Sequence, residues 1–215
     1  MTLQDLQQYL QGLPVPARRV PVLLQSGSRT IPSHPEVVQR LRGSLSPLPN
    51  EVGGNGAAVL LLLYPLDGET MVLMTRRSAS LRNHPHEISF PGGGVEAGET
   101  IPEAALRETF EEVGIDYSAI ELLGLLGSGA IRGNGRSFSG VVGHCRSRPV
   151  VQLNADEVET VLEVPLSLVY TPDYFCELWY SDTFGWGLFH FFVMAPDLIW
   201  GASARMLVDL LVLLE

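Results

Sequence analysis

The chain predicts an α/β domain on three observations: apolar runs of strand length separated by turn residues, a capped amphipathic helix directly after a glycine loop, and a final apolar helix near the end of the chain. Residues 57–64 and 71–76 read as two strands, with Pro65, Leu66, Asp67 and Gly68 forming a hairpin-like turn between them. Residues 87–90 read as a short strand feeding the glycine loop. Further strand or short-helix candidates are 120–126, 138–145, 155–165 and 189–193, and 202–214 reads as the last helix. Upstream, 3–10 and 34–41 have the pattern of short amphipathic helices, and 45–56 reads as a linker. The expected organisation is an N-terminal helical and loop extension over 1–50 and one domain over 51–215, without internal repeats.

The helix after the glycine loop is the best specified element. Thr100 is placed to cap it with Glu103 three residues on, Pro102 falls in the first turn where its missing N–H costs little, and Gly114 suits a left-handed stop. The expected span is 101–113. Leu106, Phe110 and Val113 are expected to form the core stripe. Glu108, Glu111 and Glu112 are then expected on the opposite side, with the small Ala104 and Ala105 beside them.

Those glutamates stand three and four residues apart, so a helix brings them onto one face. Like charges there repel, which raises at least one carboxylate pKa and weakens the helix unless a cation intervenes. A hard, oxygen-ligated ion such as Mg²⁺ or Mn²⁺ resolves the conflict. A solvated acidic face is the plain alternative, and spacing alone leaves both readings open.

The wider pattern narrows the choice. Gly93, Glu99, Arg107, Glu108, Glu111, Glu112, Gly114 and Ile115 hold the register of G-x5-E-x7-R-E-U-x-E-E-x-G-U, with U apolar, and this stretch resembles the Nudix box. Thr109 departs from the aliphatic U and is expected at the core flank. Upstream, Leu73, Met74, Thr75, Arg77, Ser78, Arg82 and the run Phe90, Pro91, Gly92, Gly93 resemble the signature of coenzyme A pyrophosphatases within that superfamily. Met74 replaces a leucine, and His86 stands where the signature has glycine, a residue that often marks a special backbone conformation. Segments 156–166 and 199–205 resemble the same subgroup, so the likeness covers roughly residues 55–215.

The resemblance implies an α/β/α sandwich around a mixed sheet. It also implies hydrolysis of a diphosphate linkage, with Glu108, Glu111 and Glu112 as ligands of Mg²⁺ or Mn²⁺ and the Gly93 carbonyl as a further oxygen. Glu99 and Arg107 are expected to brace loop and helix, Arg77 and Arg82 to meet substrate phosphates, and Glu157 to arrive as an acid from outside the box. The leading expectation is cleavage of coenzyme A or its acyl derivatives into 3′-phospho-AMP and 4′-phosphopantetheine. The alternatives are a hydrolase of another nucleoside diphosphate compound, such as ADP-ribose or a dinucleotide, and a non-hydrolytic nucleotide-binding regulator.

Composition sets the outer bounds. A net charge of −10 opposes non-specific nucleic-acid binding, which needs a basic field. The chain has no lysine, so phosphate-loop and Schiff-base lysine chemistry are excluded and all 14 basic side chains are arginine. No apolar run is long enough to span a bilayer, and the expected location is cytoplasmic. Cys145 and Cys176 have no metal or redox spacing and are expected as buried thiols. His34, His144 and His190 are scattered and read as structural, and Arg76 as a surface charge holding a turn. The run 127–140, with Arg132 and Arg136, reads equally as a loop over the site and as an ordinary connection. Trp179, Tyr180, Phe184, Trp186, Phe189, Phe191 and Phe192 read as core or homodimer contacts, with adenine stacking as the alternative.

Overall fold

The apolar run at 57–64 becomes the middle of the main sheet because both of its faces are covered. In a computed structural model that describes residues 31–52, 56–130, 137–171, 174–182, 185–194 and 196–215, strand β1 (Gly56–Leu66) sends Leu60, Leu62 and Tyr64 to one side and Leu61 and Leu63 to the other. Burial on both faces leaves the strand no reason to alternate polar and apolar residues. The first set packs with Ala104, Ala105 and Val113 of helix α2 (Ile101–Val113). The second packs with Val37 and Leu41 of α1 (His34–Ser44) and with Leu207 and Leu210 of α3 (Gly201–Leu213). Helices therefore cover both faces of a mixed sheet, the expected α/β/α arrangement.

Among the described residues the main sheet follows the order β3-β2-β1-β6-β5, with β4 on β1 and β7 on β2. Its other members are β2 (Glu69–Arg77), β3 (Ile88–Ser89), β4 (Gly92–Gly94), β5 (Glu121–Ala130), β6 (Ser137–His144) and β7 (Val158–Pro165). The β1–β6 pair is parallel and the others antiparallel. The β1–β2 turn is tighter than expected. Pairing continues through Pro65↔Thr70 and Leu66↔Glu69, leaving Asp67 and Gly68 as the turn at φ 50° and 83°. Two positive φ angles are what a two-residue type I′ hairpin demands.

A second sheet, β10-β9-β8, contains β8 (Phe175–Asp182), β9 (Gly185–Met194) and β10 (Asp197–Trp200). It joins the core through Phe175, Phe192 and Ile199, with the Phe175 and Phe192 rings edge to face at 5.0 Å. Phe191 is also buried, which bears out core packing for these two phenylalanines. The side chains of Trp179, Tyr180, Phe184 and Trp186 lie outside the described residues, as do the 3–10 segment, Arg132 and Arg136. Helix α1 buries Val37 and Leu41 completely in the main core. Both cysteines are buried thiols outside any disulfide, and no helix among the described residues is long and apolar enough to cross a membrane.

Candidate active site

Local sequence fixes helix α2 as expected. Thr100 and Glu103 form the reciprocal cap, with the Thr100 amide donating to Glu103 Oε2 at 2.8 Å, and Gly114 stops α2 at φ 66° while its amide donates to the Phe110 carbonyl. The helix is rotated from its expected setting, however. Ala104, Ala105, Thr109 and Val113 face the sheet, while Phe110 is 49% exposed and lies edge-on to Tyr117 at 5.4 Å. Two alanines allow a close approach to β1 that a phenylalanine would prevent. Thr109 tolerates full burial because its hydroxyl donates to the Ala105 carbonyl at 2.7 Å.

This rotation carries Glu112 to the edge of the core, so it is not the solvent-facing group that the sequence suggested. Only 4% of Glu112 is exposed, and its Oε2 accepts the Gly92 amide at 3.2 Å. Desolvation pushes its pKa up to about 8, the Gly92 amide and Arg77 oppose the shift, and Glu108 and Glu157 reinforce it. Glu108 is also held above its ordinary range, chiefly by burial, with Arg107 pulling the other way and Glu111 and Glu157 pushing with it. Glu157, far away in sequence, thus stands within electrostatic reach of both.

A glycine loop presses against these acids. A side-chain carbon on Gly92 would strike the Ala58 carbonyl and the Val59 backbone, and one on Gly93 would strike the Glu108 carboxyl group. The loop admits no side chain at Gly92, and at Gly93 only if the Glu108 carboxyl group moves aside. Arg107 then ties loop to helix: its Nε donates to Glu99 Oε1 at 2.9 Å, Nη2 to the Gly94 carbonyl at 2.9 Å, and Nη1 to Glu108 at 3.0 Å and Glu111 at 2.9 Å. Hydrogen bonding to Arg107 holds Glu99 below the ordinary carboxylate range, against some desolvation.

The expected ligand triad is only partly assembled. Glu111 is exposed and turned toward Arg107, and among the described residues no three histidine, cysteine or acidic side chains are gathered tightly enough to hold an ion. The guanidinium draws Glu108 and Glu111 toward itself. The donor set still suits a hard cation: Glu157 stands within electrostatic reach of Glu108 and Glu112 beside a bare glycine backbone, and burial makes the charge of Glu108 and Glu112 costly.

Glu157 is positioned through Asn154. The Asn154 amide donates to the Glu112 carbonyl at 3.0 Å, and the Asn154 carbonyl accepts the Glu157 and Val158 amides at 3.0 and 2.8 Å. The end of α2 and the turn bearing Glu157 are therefore one hydrogen-bonded unit. The Ser78 amide donates to the Glu157 carbonyl, which brings the start of the 78–87 loop to the same place. Arg77 is half-buried and faces Glu112, and its Nε has no hydrogen-bond partner among the described residues. Arg82 is exposed on the loop.

Sequence reading missed several partners. Arg76 bridges Glu159 at 3.1 Å and Asp197 at 2.6 Å, a bracing role, and His86 Nδ1 meets Glu159 at 2.9 Å. Nothing in the local pattern pairs residues so far apart in the chain. His34 and His144, read as scattered, stand with ring centroids 5.7 Å apart because α1 lies over the end of β6. His34 Nδ1 also meets Thr70 at 3.3 Å and His144 Nε2 meets Glu121 at 3.2 Å, contacts suited to structural residues.

The model of the NUDIX domain matches residues 54–175. Three relatives illustrate the range of similar proteins. A Photorhabdus laumondii protein named uncharacterized Nudix hydrolase NudL is 33% identical over 175 residues, covering 80% of this chain and 92% of its own. Caenorhabditis elegans Nudix hydrolase 3 is 40% identical over 112 residues, 51% of this chain and 47% of that one. The C. elegans protein named peroxisomal coenzyme A diphosphatase ndx-8 is 37% identical over 128 residues, 57% of this chain and 54% of that one. The matched region thus spans about half the length of each C. elegans relative and nearly all of the bacterial one. With the loop, the capped acidic helix and the mixed sheet in place, the chain belongs to the Nudix family.

Proposed function

We propose that this protein hydrolyses the diphosphate linkage of coenzyme A or its derivatives, with Mg²⁺ or Mn²⁺ held by Glu108, Glu111 and Glu112 and by the Gly93 carbonyl. The observation that carries the reading is the burial of Glu112 between the Gly92 amide and the charges of Glu108 and Glu157, a costly arrangement for a metal-free surface helix. When bound, the cation would neutralise non-bridging phosphate oxygens and acidify the attacking water. Glu157, within electrostatic reach of the same pair of acids, is the candidate we assign from outside the box to accept the water's proton. Arg77, which faces Glu112, and Arg82, exposed on the adjacent loop, are the forked donors this reading assigns to the substrate's phosphates. Glu99 and Arg107 keep loop and helix in register.

Support for the coenzyme A class comes from the signature over residues 73–93 and from the similarity to the protein named coenzyme A diphosphatase. His86 in place of the signature glycine keeps a second reading, ADP-ribose or a dinucleotide, in the comparison. A panel of coenzyme A, 3′-dephospho-coenzyme A, ADP-ribose and a dinucleotide, each with Mg²⁺ and with Mn²⁺, separates them. Highest kcat/KM on coenzyme A, with 3′-phospho-AMP and 4′-phosphopantetheine as products, supports the proposal. Preference for ADP-ribose or the dinucleotide supports the second reading, and binding without cleavage supports a regulator. Buried cysteines held as thiols suit a reducing compartment.

A further inference from the structure

The loop joining β2 to β3 holds two histidines in a conformation that side chains seldom adopt: His84 at φ 57° and His86 at φ 61°. Each has its ring nitrogen on a carboxylate, His84 Nδ1 on Glu87 at 3.0 Å and His86 Nδ1 on Glu159 at 2.9 Å. Glu159 is itself fixed by Arg76, which also grips Asp197 of β10. The ionised Glu159 offers only acceptors, so His86 Nδ1–H donates. Strained backbone held by specific side-chain bonds points to a conformation under functional constraint.

The location gives that constraint a meaning. At the base of the loop the Arg77 amide donates to the Glu87 carbonyl and the His86 amide to the Arg77 carbonyl, so His86 sits directly across from the arginine that faces Glu112. The loop's first residues rest on the turn carrying Glu157, through the Ser78 amide to the Glu157 carbonyl and Ser80 Oγ to the Asp156 carbonyl at 3.1 Å. Its last residues rest on Glu159. Arg82 is carried between those two supports, exposed and with no hydrogen bond or ion pair among the described residues.

We infer that His86 is a positioning residue: hooked on Glu159, it holds the 78–85 loop in the shape that presents Arg82 to an anionic group of the substrate, and so sets substrate affinity rather than turnover. This rests on the reading of Arg82 as a substrate contact. A glycine would adopt the same φ without strain but could not make the hook, and asparagine could do both, since it tolerates positive φ and its amide nitrogen occupies nearly the place of His Nδ1.

The test is steady-state kinetics, with melting temperatures alongside, on the best substrate of the panel with Mg²⁺, for the wild type, His86→Ala, His86→Asn, Arg82→Ala and the double variant His86→Ala/Arg82→Ala. Expected are a KM about fivefold higher or more for His86→Ala with kcat within about twofold, near-normal values for His86→Asn, and a double variant no worse than Arg82→Ala. An unchanged KM in His86→Ala while Arg82→Ala raises it overturns the inference alone, whatever the melting temperatures do. Multiplying effects in the double variant also overturn it. An unchanged KM in Arg82→Ala overturns the reading of Arg82 and this inference together.

Discussion

The Glu112 carboxylate takes the Gly92 amide at 3.2 Å from a position almost wholly withdrawn from water, so the glycine loop and the acidic helix are joined through a group that resists ionisation. Its pKa of about 8 lies above the ordinary value of 4.5. A carboxyl raised on folding contributes its stability fully below the unfolded pKa, near 4.5, and that contribution is lost as pH rises through the folded pKa, near 8. The metal-free protein should therefore lose melting temperature across that window, Glu112→Gln should flatten the loss, and Mg²⁺ should reverse it in the wild type. Thermal melts at several pH values with chelator and with Mg²⁺ check this. A wild-type and variant pair with parallel pH profiles would contradict it.

Activity should depend on the acids individually. Glu108→Gln, Glu111→Gln and Glu112→Gln are each expected to lower kcat by roughly 100-fold or more under saturating substrate, with the fold retained by circular dichroism. Glu111 is the sharpest case, because its side chain is turned to Arg107. A loss of only a few-fold for Glu111→Gln would make it a brace rather than a ligand.

The two loop glycines should fail differently. An added carbon at Gly93 meets the far end of the Glu108 side chain, which can move, whereas at Gly92 it meets the backbone of Ala58 and Val59, which cannot. Gly93→Ala should fold and lose activity, and Gly92→Ala should lose soluble, folded protein. Matching melting temperatures for the two variants would refute this distinction.

Arg107 joins three acids and a carbonyl on the loop–helix junction with only 22% of its side chain exposed. Arg107→Ala strands Glu99 and Glu108, so we expect a loss of about 2–3 kcal/mol in chemical denaturation. Arg107→Lys should restore only part, because a single ammonium cannot replace the fork. An Arg107→Ala variant as stable as the wild type would show the cluster to be energetically idle.

The sequence made helix α2 legible to the residue because cap, proline and terminal glycine are local signals, and it made β1 legible because a doubly buried strand is apolar throughout. It misplaced the rotation of α2, since Ala104 and Ala105 determine how close the helix comes to β1 and a hydrophobic stripe counts Phe110 above them. Strands β4, β8 and β10 escaped notice: Gly92–Gly94 has no side chains to pattern, and β8 and β10 are both defined by pairing with β9 rather than by a local signal. Glu157 was readable only as a candidate. Its proximity to Glu108 and Glu112 arises from Asn154, whose bonds join segments about forty residues apart.

The most direct measurement is an anomalous difference map from crystals soaked in Mn²⁺. A peak within ligand distance of Glu108 and Glu112, adjoining the Gly93 carbonyl, is the predicted result. A map without density there, from protein that cleaves coenzyme A in the same Mn²⁺ solution, would contradict the account.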